Sequence, residues 1–298
     1  MSRAVTQVVA VVGPTGAGKS ALALDLALEL GGEIINADSM QLYRGMDIGT
    51  AKVPTAERRG IRHHLLDVWD VTHAADVAAY QRHARAVVDE LVGRGVVAVL
   101  VGGSGLYIRA ALDALDFPGT DPALRARLEA ELAEVGPNRL HARLAQRDPE
   151  AAVAILPSNG RRIVRALEVV ELTGRFRAQL PGYRSVYDAV LLGVDRQDLD
   201  DRIEARVTSM WRGGLVDEVR ALVGCGLREG RTASRALGYA QVLDHLDGRL
   251  PTVEVTQDAI AAATRRFARR QRRWFGRDPR VRWLAEAGPT AALDALQR

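Results

Sequence analysis

The 298-residue sequence is poor in cysteine and contains no long apolar run. Its single cysteine, Cys225, excludes an intramolecular disulfide framework and a zinc site built from several cysteines. We expect Cys225 to be a small buried side chain. No apolar stretch approaches the roughly 20 residues needed to span a bilayer. Because the first apolar run already begins at Val8, we expect no signal peptide. These absences predict a cytoplasmic protein with no membrane partner.

Lysine is also scarce, because the 41 basic residues include two lysines, Lys19 and Lys52, and therefore 39 arginines. The net charge is only +4, but seven arginines lie between Arg265 and Arg277. Such a cluster is typical of a surface that binds a polyanion. The alternative is an ordinary solvated helix face in an arginine-rich chain.

The strongest local pattern follows the apolar run Val8–Val12 and precedes a helix-like run from Ala21 to Leu30. It matches G-x-x-x-x-G-K-[ST], the phosphate-binding loop between a strand and a helix. The loop consists of Gly13, Pro14, Thr15, Gly16, Ala17, Gly18, Lys19 and Ser20. Its glycines allow successive backbone N–H groups to converge on anionic oxygens at the start of a helix.

The last two loop residues carry the chemistry that this pattern predicts. Lys19 is placed to reach terminal phosphates, and the Ser20 hydroxyl is placed to hold a Mg²⁺ ion that bridges them. The alternative is a glycine-rich turn that happens to precede a helix. The choice of lysine favours the phosphate loop, since a compact ammonium fits where a planar guanidinium does not.

Two later strands are predicted to end beside this loop. The run Glu33–Ala37 leads into Asp38, and the apolar run Val96–Val101 leads into Gly102-Gly103-Ser104-Gly105. In a doubly wound sheet, the carboxyl ends of the strands line the ligand crevice. Asp38 is therefore a candidate general base or metal-linked carboxylate, although a turn or cap role is the simpler alternative. The turn at Ser104 lacks the acidic residue that holds Mg²⁺ in many nucleotide hydrolases, which favours a phosphorylated substrate other than a nucleoside triphosphate.

The order of elements predicts an α/β fold with a P-loop parallel-sheet core and helices on both faces. From Ala123 to about Thr173 the periodicity is helical and rich in arginine, and the strand pattern returns at Val190. We therefore assign residues 1–116 and 188–298 to the catalytic core with C-terminal helices. Residues 117–187 are assigned to an inserted all-helical domain.

Taken together, the motifs resemble the tRNA dimethylallyltransferase family over nearly the whole chain. The segments that carry the resemblance are 13–20, Asp38–Tyr43, Met46–Lys52, His63–Asp67, Val101–Tyr107, Arg165–Val169, Arg202–Arg206, Gly238-Tyr239, Ala263–Arg266 and Arg270-Gln271. Members of this family transfer a dimethylallyl group from dimethylallyl diphosphate to N6 of the adenosine on the 3′ side of the anticodon.

The resemblance implies roles for individual residues. Asp38 would hydrogen-bond the exocyclic amine and act as general base, and Ser104 would contact the adenine. Thr15, Lys19 and Ser20 would hold the diphosphate and Mg²⁺, while Arg206 would neutralise the leaving group. The resemblance implies that the main partner is the anticodon loop of tRNA. We expect this chain to act as a monomer. Because the loop pattern is shared with nucleotide-binding proteins, binding of ATP is left open.

The resemblance also implies a set of tRNA-binding positions. They are Asp38, Ser39, Met40, Gln41, Ser104, Arg125, Arg161, Arg162, Ile163, Val164, Arg165, Arg235, Gly238, Tyr239, Ala240, Arg266 and Arg270. This sequence departs from the family pattern at Arg161, where Gln is frequent, and at Ala240, where Arg is frequent. Ser104 stands where Thr is common, which keeps the hydroxyl and removes a methyl.

Two other classes of protein share the loop. A small-molecule or nucleoside kinase with a helical lid would transfer a phosphoryl group from ATP. A P-loop NTPase that acts as a switch or an RNA-binding regulator would release phosphate from ATP or GTP. The missing acidic residue after Val101 and the wide distribution of arginine argue against the kinase. Against the NTPase, the sequence contains no recognisable motif for guanine specificity.

Overall fold

The computed structural model describes residues 6–177 and 180–297. The chain divides into two compact units. The first contains Met1–Asp113 and Ser185–Arg298, and the second contains Ala114–Arg184. The division thus falls at 113/114 and 184/185, where the sequence predicted 116/117 and 187/188.

The first unit is built on a six-stranded sheet in which every pair of neighbours is parallel. Its strands are β1 (Val8–Val12), β2 (Glu33–Asn36), β3 (His63–His64), β4 (Ala98–Gly102), β5 (Ala189–Gly193) and β6 (Val281–Trp283). The order across the sheet is β3-β2-β4-β1-β5-β6. All five residues of β1 are buried, as expected of a central parallel strand covered on both faces.

The helices follow in chain order. They are α1 (Lys19–Leu30), α2 (Val77–Gly93), α3 (Gly105–Leu112), α4 (Pro122–Arg147), α5 (Pro149–Ala154), α6 (Gly160–Thr173), α7 (Leu199–Arg212), α8 (Leu215–Gly224), α9 (Tyr239–Leu246), α10 (Val253–Phe275) and α11 (Pro289–Gln297). Short 3₁₀ helices cover Thr55–Glu57 and Ala233–Arg235.

Helices pack around the sheet and confirm the predicted α/β fold class. Helices α1 and α11 contact each other and the strands β4 and β5, respectively. A second group is formed by α2, α3 and α10, of which α2 and α3 contact β4. Among residues 6–177 and 180–297, no helix combines the length and the apolar character needed to cross a bilayer.

Several local expectations differ from the structure. The segment His63–Val68 predicts a strand, but β3 ends at His64 because Leu65 and Asp67 have positive φ angles of 60° and 56°, which extended strands do not use. The expectation that Cys225 is buried is wrong, since it follows the C-terminus of α8 and is exposed. The strand β6 and the helix α11 carry too little apolar periodicity to have been predicted.

In the part of the second unit that the structure describes, the regular elements are helices, and they enclose an apolar core. Leu128, Leu140 and Leu144 of α4 pack with Ile163 and Leu167 of α6. Helix α4 is kinked at Gly136, whose φ of 77° is followed by Pro137. Proline cannot continue the hydrogen-bond ladder of a helix, so Gly136-Pro137 forms a kink between two helical segments of α4.

A buried ionic cluster lies where the chain leaves and re-enters the first unit. Asp113 and Ser185 form an antiparallel bridge. The Asp113 carboxylate accepts hydrogen bonds from Arg109 Nε at 2.6 Å and from Arg280 at 2.6 Å, and Arg280 also bonds the Ser185 hydroxyl at 2.8 Å. Since buried charges require partners, this cluster fixes the ends of both connections to the sheet.

Candidate active site

The glycine loop after β1 has the backbone that a phosphate cradle requires. Gly13, Gly16 and Gly18 have φ angles of 139°, 89° and 97°, a region that favours glycine. A Cβ atom on Gly13 would lie only 2.1 Å from the carbonyl oxygen of Val194, so this position admits no side chain. The loop then delivers its backbone to the start of α1 at Lys19.

Lys19 lies at the centre of this loop. Its ammonium donates a hydrogen bond to the Pro14 carbonyl at 2.8 Å, so it closes over the loop. Burial lowers the pKa of Lys19 from 10.5 to about 8, while Asp38 opposes that shift and Arg206 adds to it. The loop therefore presents a desolvated cation whose charge an incoming anion would stabilise.

Asp38 follows β2 at the same edge of the sheet. Its carboxylate accepts the Met40 backbone N–H at 2.9 Å, and its own N–H donates to Asn36 Oδ1 at 2.9 Å. Asn36 is itself held by a bond from its amide to the Leu65 carbonyl at 2.9 Å. Burial raises the pKa of Asp38, and the bond from Met40 and the charge of Lys19 act in the opposite direction. A carboxylate with a raised pKa is a better proton acceptor.

The other predicted catalytic groups converge on the same place. Arg206 of α7 donates to the Thr15 hydroxyl at 3.4 Å, and the Ser104 hydroxyl lies 3.5 Å from the Ser39 hydroxyl. Burial lowers the pKa of Arg206, and neighbouring Arg202 adds to this effect. Arg202 in turn donates to the Gly16 carbonyl at 3.0 Å. Two arginines of α7 thus face the glycine loop.

Four of these groups line a cavity of about 340 Å³ in the first unit, whereas Lys19 and Arg202 are not among its lining residues. Its polar lining includes Thr15, Asp38, Ser104 and Arg206, and its apolar lining includes Ile203, Val207, Met210, Leu237, Ile260 and Phe267. Ser39, Met40, Gly49, Thr50, Arg235, Ala236, Gly238, Thr264 and Arg270 complete the wall. The cavity therefore joins an anion-binding loop and a carboxylate to an apolar chamber.

Gln271 of α10 connects two of the loops, a role that the sequence did not reveal. Its side-chain oxygen accepts the Thr15 N–H at 2.8 Å, and its amide donates to the Gly103 carbonyl at 2.9 Å. A Cβ atom on Gly103 would lie 2.2 Å from the Gln271 amide nitrogen, and one on Gly105 would lie 2.0 Å from the Trp274 indole nitrogen. The glycines at 103 and 105 are thus needed for the close approach of α10.

We expect Gln271→Leu to destabilise the protein and to impair the glycine loop. The substitution leaves the Thr15 N–H and the Gly103 carbonyl without partners, and each unsatisfied buried group costs about 1–3 kcal/mol. Chemical denaturation should show a loss of unfolding free energy of about 2–6 kcal/mol for the two groups together. Gln257→Leu, on the same helix, is the matched control, and equal effects from the two variants would contradict the role of Gln271.

The tRNA-binding positions predicted in the first unit fall into two groups. Asp38, Ser39, Met40, Ser104, Arg235, Gly238 and Arg270 line the cavity. Arg266 is exposed on α10, and Gln41 lies beside the cavity, where its amide donates to the Thr50 carbonyl at 3.1 Å. Ala240 is half-buried in the first turn of α9. Tyr239 is fully buried, so its side chain is not available to tRNA.

The predicted positions in the second unit are also divided. Arg161 and Arg162 are exposed at the start of α6. Ile163 and Val164, however, belong to the apolar core of this unit, so their side chains are buried within it. Arg125 and Arg165 pair with the fully buried carboxylate of Glu168. Because that buried charge needs compensation, both arginines have a structural role that the sequence did not indicate.

The glycine loop also contains oxygen ligands of the kind that Mg²⁺ prefers. Ser20 is in the first turn of α1 and Thr15 is in the loop, so both supply neutral hydroxyl oxygens next to the anion cradle. Mg²⁺ prefers oxygen ligands and is commonly held by few protein groups together with substrate phosphates. In the described residues there is no group of three or more His, Cys, Asp or Glu side chains placed to hold a metal. These two hydroxyls therefore fit a Mg²⁺ ion whose remaining ligands are phosphate oxygens and water.

The fold and the cavity define an α/β protein with a strand–glycine loop–helix anion site and a carboxylate at the end of the neighbouring strand. The model of the IPP transferase family matches residues 41–278. The chain belongs to this family.

Individual relatives cover nearly the whole chain. The tRNA dimethylallyltransferase of Parafrankia sp. (strain EAN1pec) is 68% identical over 291 residues, which are 98% of this chain and 92% of that protein. The crystal structure of the tRNA isopentenylpyrophosphate transferase from Bacillus halodurans has a TM-score of 0.70 and 39% identity and covers 97% and 94% of the two chains. A eukaryotic dimethylallyltransferase acting on tRNA shares the fold, with a TM-score of 0.81 and 24% identity, over 97% of this chain and 76% of that one.

Proposed function

We propose that this protein transfers a dimethylallyl group from dimethylallyl diphosphate to N6 of the adenosine that follows the anticodon in tRNA. The observation that carries the proposal is the cavity in which Thr15, Arg206 and Asp38 meet an apolar chamber. An allylic diphosphate has an anionic end and an apolar end, so it matches both parts of this lining. Family membership and the tRNA-modifying relatives support the same activity.

The chemistry requires one bond to break as another forms. The adenine amine is a weak nucleophile, and the allylic carbon is a good electrophile because it shares positive charge as its C–O bond breaks. The new N–C bond forms at N6, diphosphate leaves with the C–O electron pair, and the N6 proton passes to the Asp38 carboxylate. Proton transfer to a positioned base contributes typically 10²–10⁴-fold to the rate.

Stabilisation of the leaving diphosphate is the main electrostatic demand. The backbone N–H groups of the glycine loop, the Lys19 ammonium and the Arg206 guanidinium would meet the developing charge. Ser20 and Thr15 would hold Mg²⁺, which when bound supplies Lewis-acid neutralisation of the phosphate oxygens. Arg206 also bonds Thr15, so the guanidinium is oriented before the substrate arrives.

Adenosine must leave its stack to reach Asp38. Extruding a base costs a few kcal/mol, and a base in an RNA loop is already partly unstacked. The Ser104 and Ser39 hydroxyls lie in the same cavity wall as Asp38. Each hydroxyl can donate a hydrogen bond to the extruded adenine or accept one from it. This arrangement favours an anticodon loop over a continuous duplex as the acceptor.

The direct test is mass analysis of tRNA after incubation with the protein, dimethylallyl diphosphate and Mg²⁺. We expect one dimethylallyl group per acceptor adenosine, with release of diphosphate. A parallel incubation with ATP in place of the prenyl donor separates this function from a kinase or an NTPase. Phosphoryl transfer or phosphate release from ATP without prenylation would overturn the proposal.

The arginines of α10 supply a separate prediction about tRNA affinity. Arg265 pairs with Glu204 at 2.5 Å and Arg272 pairs with Asp195 at 2.8 Å. Arg266, Arg269, Arg270, Arg273 and Arg277 are exposed, and within the described residues none is within salt-bridge distance of a carboxylate. They form the part of the arginine cluster whose charge is free to meet phosphates.

We therefore expect Arg266→Ala, Arg270→Ala and Arg273→Ala, combined in one variant, to weaken tRNA binding and to flatten its salt dependence. Loss of up to three phosphate contacts should reduce the slope of log K against log salt by about 2–3. The control is a variant with Arg220→Ala, which removes an exposed arginine of α8 that already pairs with Asp217. An unchanged slope in the triple variant would assign these arginines to ordinary surface.

A further inference from the structure

The segment Met46–Lys52 carries part of the family resemblance but contributes no group to the chemistry above. It follows the Asp38 loop, and its Gly49 and Thr50 line the cavity. The structure explains how this segment is held. Lys52, one of the chain's two lysines, is buried and donates to Asp47 at 2.5 Å and to Asp67 at 2.6 Å.

The second anchor comes from a distant helix. The carboxylate of Glu218, on α8, accepts three successive backbone N–H groups, from Asp47 at 3.0 Å, Ile48 at 2.7 Å and Gly49 at 3.1 Å. Consecutive N–H groups that converge in this way form an anion-binding concavity. Here the anion is a side chain of the protein itself.

Glu218 also holds the opposite side of the cavity wall. The hydroxyl of the buried Tyr239 donates to Glu218 Oε1 at 2.5 Å. Gly49 packs directly on the Tyr239 ring, since a Cβ atom there would lie 2.5 Å from it. Gly238, the residue before Tyr239, lines the cavity as Gly49 does. One carboxylate thus joins two wall segments that are about 190 residues apart in the chain.

We propose that Glu218 is a positioning residue for prenyl transfer, which fixes the Gly49–Thr50 and Gly238 walls so that the substrates align with Asp38. This inference rests on the proposed function. Thr50 connects the anchored segment to the loop that follows Asp38, because its carbonyl accepts a hydrogen bond from the Gln41 side-chain amide at 3.1 Å. Glu218 itself touches neither the glycine loop nor the exposed arginines of α10 in any contact described above.

The geometry predicts what Glu218→Gln would disturb. One carboxylate oxygen serves Asp47 and Ile48, and the other serves Gly49 and Tyr239. A glutamine retains one acceptor oxygen and turns the other into an N–H₂ donor. The Tyr239 hydroxyl can rotate to accept from that group, but a backbone N–H cannot. The variant therefore places donor against donor at one end of the segment.

We expect Glu218→Gln to lower kcat about 100-fold, the effect expected when a substrate is misplaced by about 1 Å. The KM values for dimethylallyl diphosphate and for tRNA should change less than about 3-fold, because the substitution alters neither the glycine loop nor the exposed arginines of α10. Stoichiometric binding of tRNA, measured on the same preparation, gives the folded fraction. Glu90→Gln, at an exposed i,i+4 pair with Arg94, is the matched control.

A second measurement does not depend on activity. Amide hydrogen exchange of Asp47, Ile48 and Gly49 in the substrate-free protein should accelerate at least 10-fold in Glu218→Gln and remain unchanged in Glu90→Gln. Tyr239→Phe, which removes only the hydroxyl bond, should have a smaller effect on kcat.

The outcomes separate the two proposals. If wild-type protein prenylates tRNA and Glu218→Gln matches it in kcat, or loses activity only in proportion to its lost binding stoichiometry, the positioning role is wrong. If the wild-type protein fails to prenylate tRNA, the proposed function is wrong. Unchanged exchange at residues 47–49 would contradict the anchoring contact itself.

Discussion

Asp38→Asn lowers the kcat for prenyl transfer by about 10²–10⁴-fold while the tRNA Kd changes by less than about 3-fold. Asparagine retains the shape of the side chain and the acceptor for the Met40 N–H. It cannot accept the proton that N6 loses, so only the catalytic step is affected. Steady-state kinetics and filter binding on the same preparation measure the two quantities. Asp38→Ala should lose transfer at least as severely.

The pH profile provides a sharper version of this test. Because burial raises the pKa of Asp38, the acidic limb of kcat/KM should lie above the usual aspartate value of about 4. In Asp38→Asn that limb should disappear from the residual activity. Asp70→Asn, which changes an exposed carboxylate paired with Arg44, should leave the profile unchanged. Near-normal turnover in Asp38→Asn would remove Asp38 from the role of base.

Lys19→Met has the second large effect, because it removes a cation from the diphosphate loop. Loss of one positioned donor to a developing anion typically lowers kcat by about 10²–10³-fold. The KM for dimethylallyl diphosphate should also rise about 10-fold, since the ammonium contacts the bound ground state as well. In the wild-type protein, kcat/KM for the donor should fall above about pH 8, where Lys19 loses its proton.

The same substitution should stabilise the substrate-free protein. The pKa of Lys19 falls from 10.5 to about 8 on folding, so between these values the unfolded chain binds more protons and stability rises with pH. Below about pH 8 the cost of burying the charge is fully present, and it disappears as the pH approaches 10.5. At pH 7 we expect Lys19→Met to raise the unfolding free energy by about 3 kcal/mol, because the fall in the pKa of Lys19 from 10.5 to about 8 costs about 1.4 kcal/mol per unit.

Urea denaturation at pH 7 and at pH 10.5 measures this gain, which should be present at the first pH and absent at the second. Arg82→Met is the control, since it removes an exposed cation from α2. Lys19→Arg tests whether charge alone is sufficient, and the planar guanidinium should not restore transfer. If Lys19→Met reduced tRNA affinity alone, the glycine loop would not be the diphosphate site.

The parts of the site that depend on local pattern could be predicted from the sequence. The glycine loop requires a fixed spacing between β1 and α1, and Asp38 follows an apolar strand that must lie in the same sheet. Parallel strands bring their carboxyl ends to one edge, so the neighbourhood of Thr15, Asp38 and Ser104 followed from topology. The arginine cluster was also visible, because its residues recur on one face of α10.

The groups that support the site could not be predicted in the same way. Gln271 and Glu218 reach backbone atoms that are more than 160 residues away in the chain. Gln271 belongs to a segment of the family resemblance, but that resemblance gives it no role, and Glu218 lies in no distinguishing pattern. Arg125 and Arg165 are likewise paired within their own unit because Glu168 is buried, which the sequence alone does not show. Such contacts depend on tertiary packing, which a single sequence does not specify locally.

The antiparallel bridge between Asp113 and Ser185 has a consequence for how this enzyme tolerates variation. The 71 residues from Ala114 to Arg184 are inserted between two positions that are paired with each other in the first unit. The insertion therefore begins and ends at the same place on the first unit. We therefore expect changes in the length or sequence of this segment to leave the register of β5 beside β1 unchanged. The cavity around Asp38 should then keep its shape in variants whose helical insertion differs.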